Sequence, residues 1–161
     1  MSAGVVLGAV GAVAALLTTA DVAPSRVPGA NVRLISGPTG ELAVSPTGSF
    51  LVATDLEPTT AAADSTLTIK NQTAHPVRLR VDARPVTPDL DHDLVVDVTD
   101  HGETILSERL GALRAHDIPV VLASGETRPL GVAVRLRTGA SGFEGASVDV
   151  PFVIEAVRAD A

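Results

Sequence analysis

Strict alternation of apolar and polar residues recurs along most of this chain. Leu67 and Ile69 share one face of a segment whose other face is Thr66, Thr68 and Lys70. Val77, Leu79, Val81 and Ala83 alternate with Arg78, Arg80, Asp82 and Arg84. The pattern returns with Leu94, Val96 and Val98 against Asp93, Asp97 and Thr99, and with Val132, Val134 and Leu136 against Ala133, Arg135 and Arg137. It closes with Val148, Val150, Phe152 and Ile154 against Asp149, Pro151 and Glu155. A two-residue period places every second side chain on the same face, so each run predicts a half-buried antiparallel strand. Phe50–Ala53, Glu103–Ser107 and Pro119–Leu122 predict shorter ones. Pro151 has no N–H to give a ladder, so its amide side is expected at an edge or a bulge.

Turn chemistry separates the runs: Leu56-Glu57-Pro58, Asn71 to Pro76, Asp100-His101-Gly102, Ser124-Gly125-Glu126, and Thr138 to Gly145. Leu106, Leu110 and Leu113 fall at i, i+4 and i+7, which predicts a short helical segment near 106–113 covering one end of the fold. Eight or nine short strands with almost no helix predict an all-β, antiparallel two-sheet β-sandwich, jelly-roll-like or immunoglobulin-like.

The N-terminal part reads differently. From Val5 to Leu17 nothing polar occurs, and the first charged residue is Asp21. A short apolar run closed by Thr18, Thr19 and Ala20 predicts an export signal over residues 1–20, cut after Ala20 or, as second choice, after Ala23. It lacks the usual basic residue at its start, and an uncleaved membrane anchor is the alternative. Gly4, Gly8 and Gly11 interrupt it, and a spanning helix wants about 20 apolar residues. Residues 21–46 are rich in Pro and Gly and contain two short apolar pieces, Val32–Ile35 and Leu42–Val44. They read as a leader with one or two strands, ahead of a sandwich domain over 47–161.

Composition narrows the chemistry. Twelve basic and 19 acidic side chains give a net charge of −7. No basic run exists, which opposes nucleic acid and anionic lipid as partners; contact with a membrane is expected only through an uncleaved signal segment. There is no cysteine, so disulfides, thiolate metal sites and catalytic thiols are excluded. The aromatic residues are Phe50, Phe143 and Phe152, with no Trp or Tyr, so the core must be aliphatic and a ring-lined sugar or base platform is not expected. Eleven of the twelve basic residues are Arg, which with the many Ala, Val and Gly suggests a GC-rich bacterial genome.

No Gly-x-Ser-x-Gly elbow and no His-Glu-x-x-His occur. His75, His92, His101 and His116 are scattered in or beside turns. The densest polar stretch is Asp89-Leu90-Asp91-His92-Asp93 with Asp97, Asp100 and His101. Carboxylates at alternate positions suit calcium, but Leu94 stands where a calcium loop needs Gly, and Asp100 where it needs Glu. The plainer reading is a charged strand face that discourages edge pairing. Asn71-Gln72-Thr73 matches a glycosylation sequon and reads as a turn. No catalytic, cofactor-binding or metal-binding residue is assigned, and no cofactor is expected.

Three blocks in order carry a resemblance. Residues 47–58 (Thr-Gly-Ser-Phe-Leu-Val-Ala-Thr-Asp-Leu-Glu-Pro) leading into Leu67-Thr68-Ile69-Lys70-Asn71 resemble a strand, a Leu-x-Pro-Gly turn and a Leu-Thr-Val-x-Asn strand. Asp93 to Thr99, followed by Leu106 through Leu113, is similar to a Leu-x-Val-x-Val-Thr strand and the segment after it. Leu122 to Thr127 precedes the Val132–Leu136 strand, and Phe143-Glu144-Gly145-Ala146-Ser147-Val148-Asp149-Val150 with Phe152 is similar to Tyr-Gln-Gly-x-Ser-x-x-Val-x-Phe. In this order the blocks resemble the TasA/camelysin family of exported bacterial surface proteins, over roughly residues 45–157. Thr59 departs from the family's turn glycine and Phe143 from its tyrosine. The resemblance implies a jelly-roll-like sandwich, export, and a role in extracellular fibres, biofilm matrix or a spore-coat-associated surface.

Three functions follow as expectations. The first is a secreted structural protein that assembles head to tail with itself or with other matrix proteins, a leader strand of one copy completing the sheet of the next. The second is a camelysin-like metallo-endopeptidase, the label the resemblance carries, with His92, Asp97 or His101 on zinc. The third is a monomeric adhesion or binding module.

Overall fold

The computed structural model describes residues 29–37, 40–84 and 90–159. The expected signal segment, 1–20, lies outside the described residues. Ten strands follow in chain order: β1 (Ala30–Ser36), β2 (Leu42–Ser45), β3 (Gly48–Leu56), β4 (Ala63–Asn71), β5 (Val77–Ala83), β6 (Leu94–Asp100), β7 (Glu103–Arg109), β8 (His116–Leu122), β9 (Thr127–Leu136) and β10 (Ser147–Arg158). They form two five-stranded sheets, ordered β3-β1-β10-β5-β8 and β2-β4-β9-β6-β7. The all-β sandwich is therefore present, and every ladder is antiparallel except β1 with β10.

Without β1 and β2, the order is β3-β10-β5-β8 over β4-β9-β6-β7, two four-stranded layers between which the chain crosses repeatedly. This is jelly-roll order. The immunoglobulin-like alternative falls because its last two strands pair within one sheet, whereas β9 and β10 lie in different sheets. The strands expected inside 21–46 are integral to the layers: β2 extends the second sheet beside β4, and β1 lies inside the first. The sandwich thus takes in residues well before position 47.

The alternating faces bury as their period requires. Val32, Leu34, Leu67, Ile69, Leu79, Val81, Val96, Val134, Val150 and Phe152 are all shut from solvent in one core. Phe50 meets Phe152 with ring centroids 5.8 Å apart and planes tilted by 57°. Burial of this kind stabilises by about 25 cal/mol per Å² of apolar surface, which is the main support of a chain without disulfides.

Two expectations need correction. The segment near 106–113 is not helical as a whole. Leu106 belongs to β7, and only Leu110–Ala112 forms a turn of 3-10 helix. Leu106 reaches the core from the extended strand, while Leu110 reaches it from the first position of the 3-10 turn that follows; a spacing of four residues fits one face of a strand as well as of a helix. Pro151 does not lie on an edge strand. β10 pairs with β1 through Ser147–Pro151 and with β5 through Phe152–Arg158, so the missing N–H falls at the seam between two ladders.

Candidate functional site

β1 occupies an unusual place. It runs parallel to β10 (Arg33 beside Asp149, Leu34 beside Val150) and antiparallel to β3 (Arg33 beside Val52, Leu34 beside Leu51). It follows that β3 and β10 run antiparallel to each other across it, the orientation in which they could pair directly. β1 is a wedge between two strands that are mutually complementary. Main-chain bonds hold it on both sides. At its start the Gly29 N–H donates to Asp55 Oδ1 at 2.7 Å, and the Asn31 N–H to the Ala146 carbonyl at 2.8 Å. Gly29 has to be glycine: a Cβ there would lie 2.6 Å from backbone atoms of Asp55 and Leu56.

On the outer face Arg33 grips Asp149 in a fork, Nε to Oδ1 at 3.1 Å and Nη2 to Oδ2 at 2.6 Å. The hydrogen bonds hold the Asp149 carboxyl below its usual range and raise the Arg33 guanidinium. Val52 on β3 is 60% exposed and Val121 on β8 is 50% exposed, so the outer edges of this sheet each carry a bare valine.

The residues considered for metal chemistry are kept apart. His92 precedes β6 and His101 follows it, so about 20 Å of strand separates them. Asp97 lies between, where its carboxylate accepts from Arg135 Nε at 2.9 Å and from the Ser107 hydroxyl. Asp93 accepts from Arg137 Nε at 2.8 Å and Asp100 from Arg128 at 3.1 Å. The acidic stretch is thus an acid–arginine ladder spread along β6 and β9. Asp89 lies outside the described residues. Among the described residues no three His, Asp or Glu side chains converge as a metal site would require. His75 and His116 lie elsewhere; His75 offers its carbonyl to Asn71, and His116 Nδ1 lies 2.9 Å from the Asp117 carbonyl.

The Arg residues of β5 form no basic patch. Arg78 and Arg80 reach Asp117 at 3.6 and 3.4 Å, and Arg84 reaches Asp82 at 2.9 Å. At one end of the core Arg128 bridges Glu126 and Asp100. The Glu126 carboxyl is held below its ordinary range by the Ala123 N–H and then by Arg128. Arg128 is raised in return, chiefly through Glu126.

Sequence reasoning missed one cleft. The Leu90–Asp93 turn before β6 and the 3-10 turn after β7 meet at the same end of the second sheet, because β6 and β7 are hairpin partners. The Gly111 N–H donates to the Asp91 carbonyl at 2.9 Å. A Cβ at Gly111 would come within 3.2 Å of Asp91, so glycine permits the approach. The two turns enclose an open cleft of about 450 Å³ lined by Asp91, His92, Arg109, Gly111, Ala112 and Arg114. No sequence motif marks it, because its residues come from two loops with no fixed spacing.

Asn71, read as a turn residue, is fully buried. Its Nδ2 donates to the carbonyls of His75, Leu122 and Ala123 at 2.9, 3.1 and 3.1 Å. Its Oδ1 accepts from the Thr73 N–H and hydroxyl at 2.9 and 2.7 Å. The sequon is a structural clasp whose amide is inaccessible in the folded chain. No helix among the described residues is long and apolar enough to cross a membrane. Comparison with family models finds no match, and comparison with curated proteins finds none either.

Proposed function

We propose that this chain is an exported bacterial cell-surface or extracellular-matrix structural protein that assembles head to tail by donating β1 to the next copy. The observation that carries this reading is the place of β1. A strand wedged between β3 and β10, held largely by main-chain ladders, leaves a slot that the same strand of another copy would satisfy equally. Gly37 and Gly40, both in the connection between β1 and β2, supply the conformational freedom a hinge needs. Each copy would both donate and receive, a heterologous contact that does not close and so propagates as a filament. The jelly-roll order and the apolar segment Val5–Leu17 agree with a protein resembling the TasA/camelysin family.

The absence of cysteine makes the test clean. Arg33 and Asp149 face each other across the β1–β10 ladder, so Arg33→Cys with Asp149→Cys supports a disulfide there. The secreted protein is first examined by sedimentation velocity over a wide concentration range. Growing species, with the oxidised variant running as a ladder of covalently linked chains on a denaturing gel, support strand donation. A monomer boundary at every concentration, or large species whose disulfides close within single chains, would refute it.

A further inference from the structure

Aliphatic alternation recurs in most strands of this chain, so Ala30, Val32 and Leu34 cannot by themselves single out β1 or set its register. A slip of one residue is barred, because it would turn Val32 and Leu34 to solvent and Arg33 into the core. A slip of two keeps every face. Arg33 is the one charged residue of β1, and Asp149 is the one charged residue of the β10 segment beside it, Ser147–Pro151. On the other side Arg33 lies beside Val52, and residues 48–54 of β3 carry no charge. A two-residue slip would therefore set Arg33 beside Ser147 or Pro151 and leave the pair unmatched. In the observed register the guanidinium holds both carboxylate oxygens, at 3.1 and 2.6 Å, with each side chain about half exposed.

We propose that the Arg33–Asp149 fork is the recognition key of the donated strand: it sets the register of an incoming β1 and selects, as partner, a second copy of this chain with a cation at position 33. The key rests on the strand donation proposed above and adds to it the group that chooses the donor. Two parallel N–H···O bonds are directional as well as attractive, so a point charge or a neutral side chain fits less well. An acidic residue in the same place would set two carboxylates side by side, and like charges opposed across a ladder repel. The chain carries a net charge of −7, so two copies repel at long range; a cation on the donated strand against an anion in the slot reverses that sign at the point of contact. Both groups feel the contact: the Asp149 carboxyl is held below its usual range and the Arg33 guanidinium above its own, each first through their shared hydrogen bonds. A β1 seated in its own slot makes the same fork as one donated to a neighbour. A mismatch carried by one kind of chain therefore cancels between the two arrangements, and selection shows where two different chains compete.

The test is charge reversal in the secreted protein. Arg33→Asp and Asp149→Arg are each unfolded in urea and refolded, alone and as an equimolar mixture, and growth is followed by sedimentation velocity. Alone, each variant sets like charges together in its own slot and in its neighbour's, so it should assemble at the same concentration as the natural protein. In the mixture only unlike copies match: the new acid of one chain meets the new arginine of the other, and the natural Arg33 meets the natural Asp149. Polymers should then appear at about tenfold lower concentration than for either variant alone, the gain from exchanging a like-charge contact for a matched one. The double variant carrying both changes should assemble as the natural protein does. In thermal denaturation it should recover the stability that each single change loses. A mixture no better than its components, while the natural protein polymerises, would overturn the key and leave strand donation standing. Monomers throughout, in the natural protein and in the mixture, would overturn strand donation and the key with it.

Discussion

Replacing Asn71 with alanine should cost this domain more than any other single polar substitution outside the backbone-contact glycines. The side chain has two amide hydrogens shared among three carbonyls, and an oxygen taking two donors from Thr73. That makes at most four effective hydrogen bonds, each worth about 1 kcal/mol net. The void left by the amide adds about 1 kcal/mol, partly offset because the His75 and Ala123 carbonyls keep the Thr73 hydroxyl and the Glu126 N–H. The sum is about 4 kcal/mol, a large part of the roughly 5–15 kcal/mol that holds a domain together. Its melting temperature should fall by roughly 10–20 °C. With no Trp or Tyr to report, urea unfolding is followed by far-UV circular dichroism. Asn71→Asp is the sharper control. It keeps an acceptor for Thr73 but sets a second carboxylate oxygen against three carbonyls, so its folded pKa is raised. Relative to the natural protein its deficit should be greatest above the raised folded value, shrink as pH falls through it, and be least below the ordinary Asp value of about 4, where the protonated acid has regained a donor. A loss under about 1 kcal/mol for Asn71→Ala, or an Asp variant as stable as Asn at neutral pH, would refute the clasp.

Acid should weaken the fold through Asp149 and Glu126. Both folded pKa values are lowered, so their stabilisation is complete above the usual carboxylate range and is lost as pH falls through the lowered values. The Asp149→Asn, Glu126→Gln double variant should melt lower at pH 7 and lose less between about pH 5 and pH 2 than the natural protein, as read by thermal denaturation. Gly131→Ala puts a Cβ 2.2 Å from the Thr99 hydroxyl and should cost about 1–3 kcal/mol. Adding Thr99→Ala should recover much of that in a double-mutant cycle, and additive losses would show that the clash is not the cause. Protein recovered from a secreting bacterial host should begin at Asp21, or at Pro24 by the second cleavage. Intact-mass measurement checks this, and a full-length chain retained in the membrane fraction would contradict the export reading.

The surface arginine–carboxylate pairs should matter little singly. Arg135→Gln, whose partner Asp97 keeps the Ser107 hydroxyl, should change stability by no more than about 1 kcal/mol in urea unfolding.

The order of residues along the chain specifies the local grammar. Alternation has one meaning wherever one face is buried, so the strands at Leu67–Ile69, Val77–Ala83, Leu94–Thr99, Val132–Leu136 and Val148–Ile154 were all legible, as were the turns between them. So was the dependence on an aliphatic core. Where two periods coincide, as at Leu106 and Leu110, the pattern was ambiguous; pairing with β6 made Leu106 strand, and Leu110 opens the 3-10 turn after it. Tertiary structure alone decided which strands are neighbours, because a ladder's partner is not encoded in its own period. Hence the wedge of β1 between β3 and β10, the seam at Pro151, and the union of Asp91 with Arg109 and Arg114 could not be read along the chain. Asn71 makes the same point within one residue. Its type allowed a turn, but only the convergence of β4, the loop to β5 and the end of β8 buried its amide and gave every polar atom of that side chain a partner.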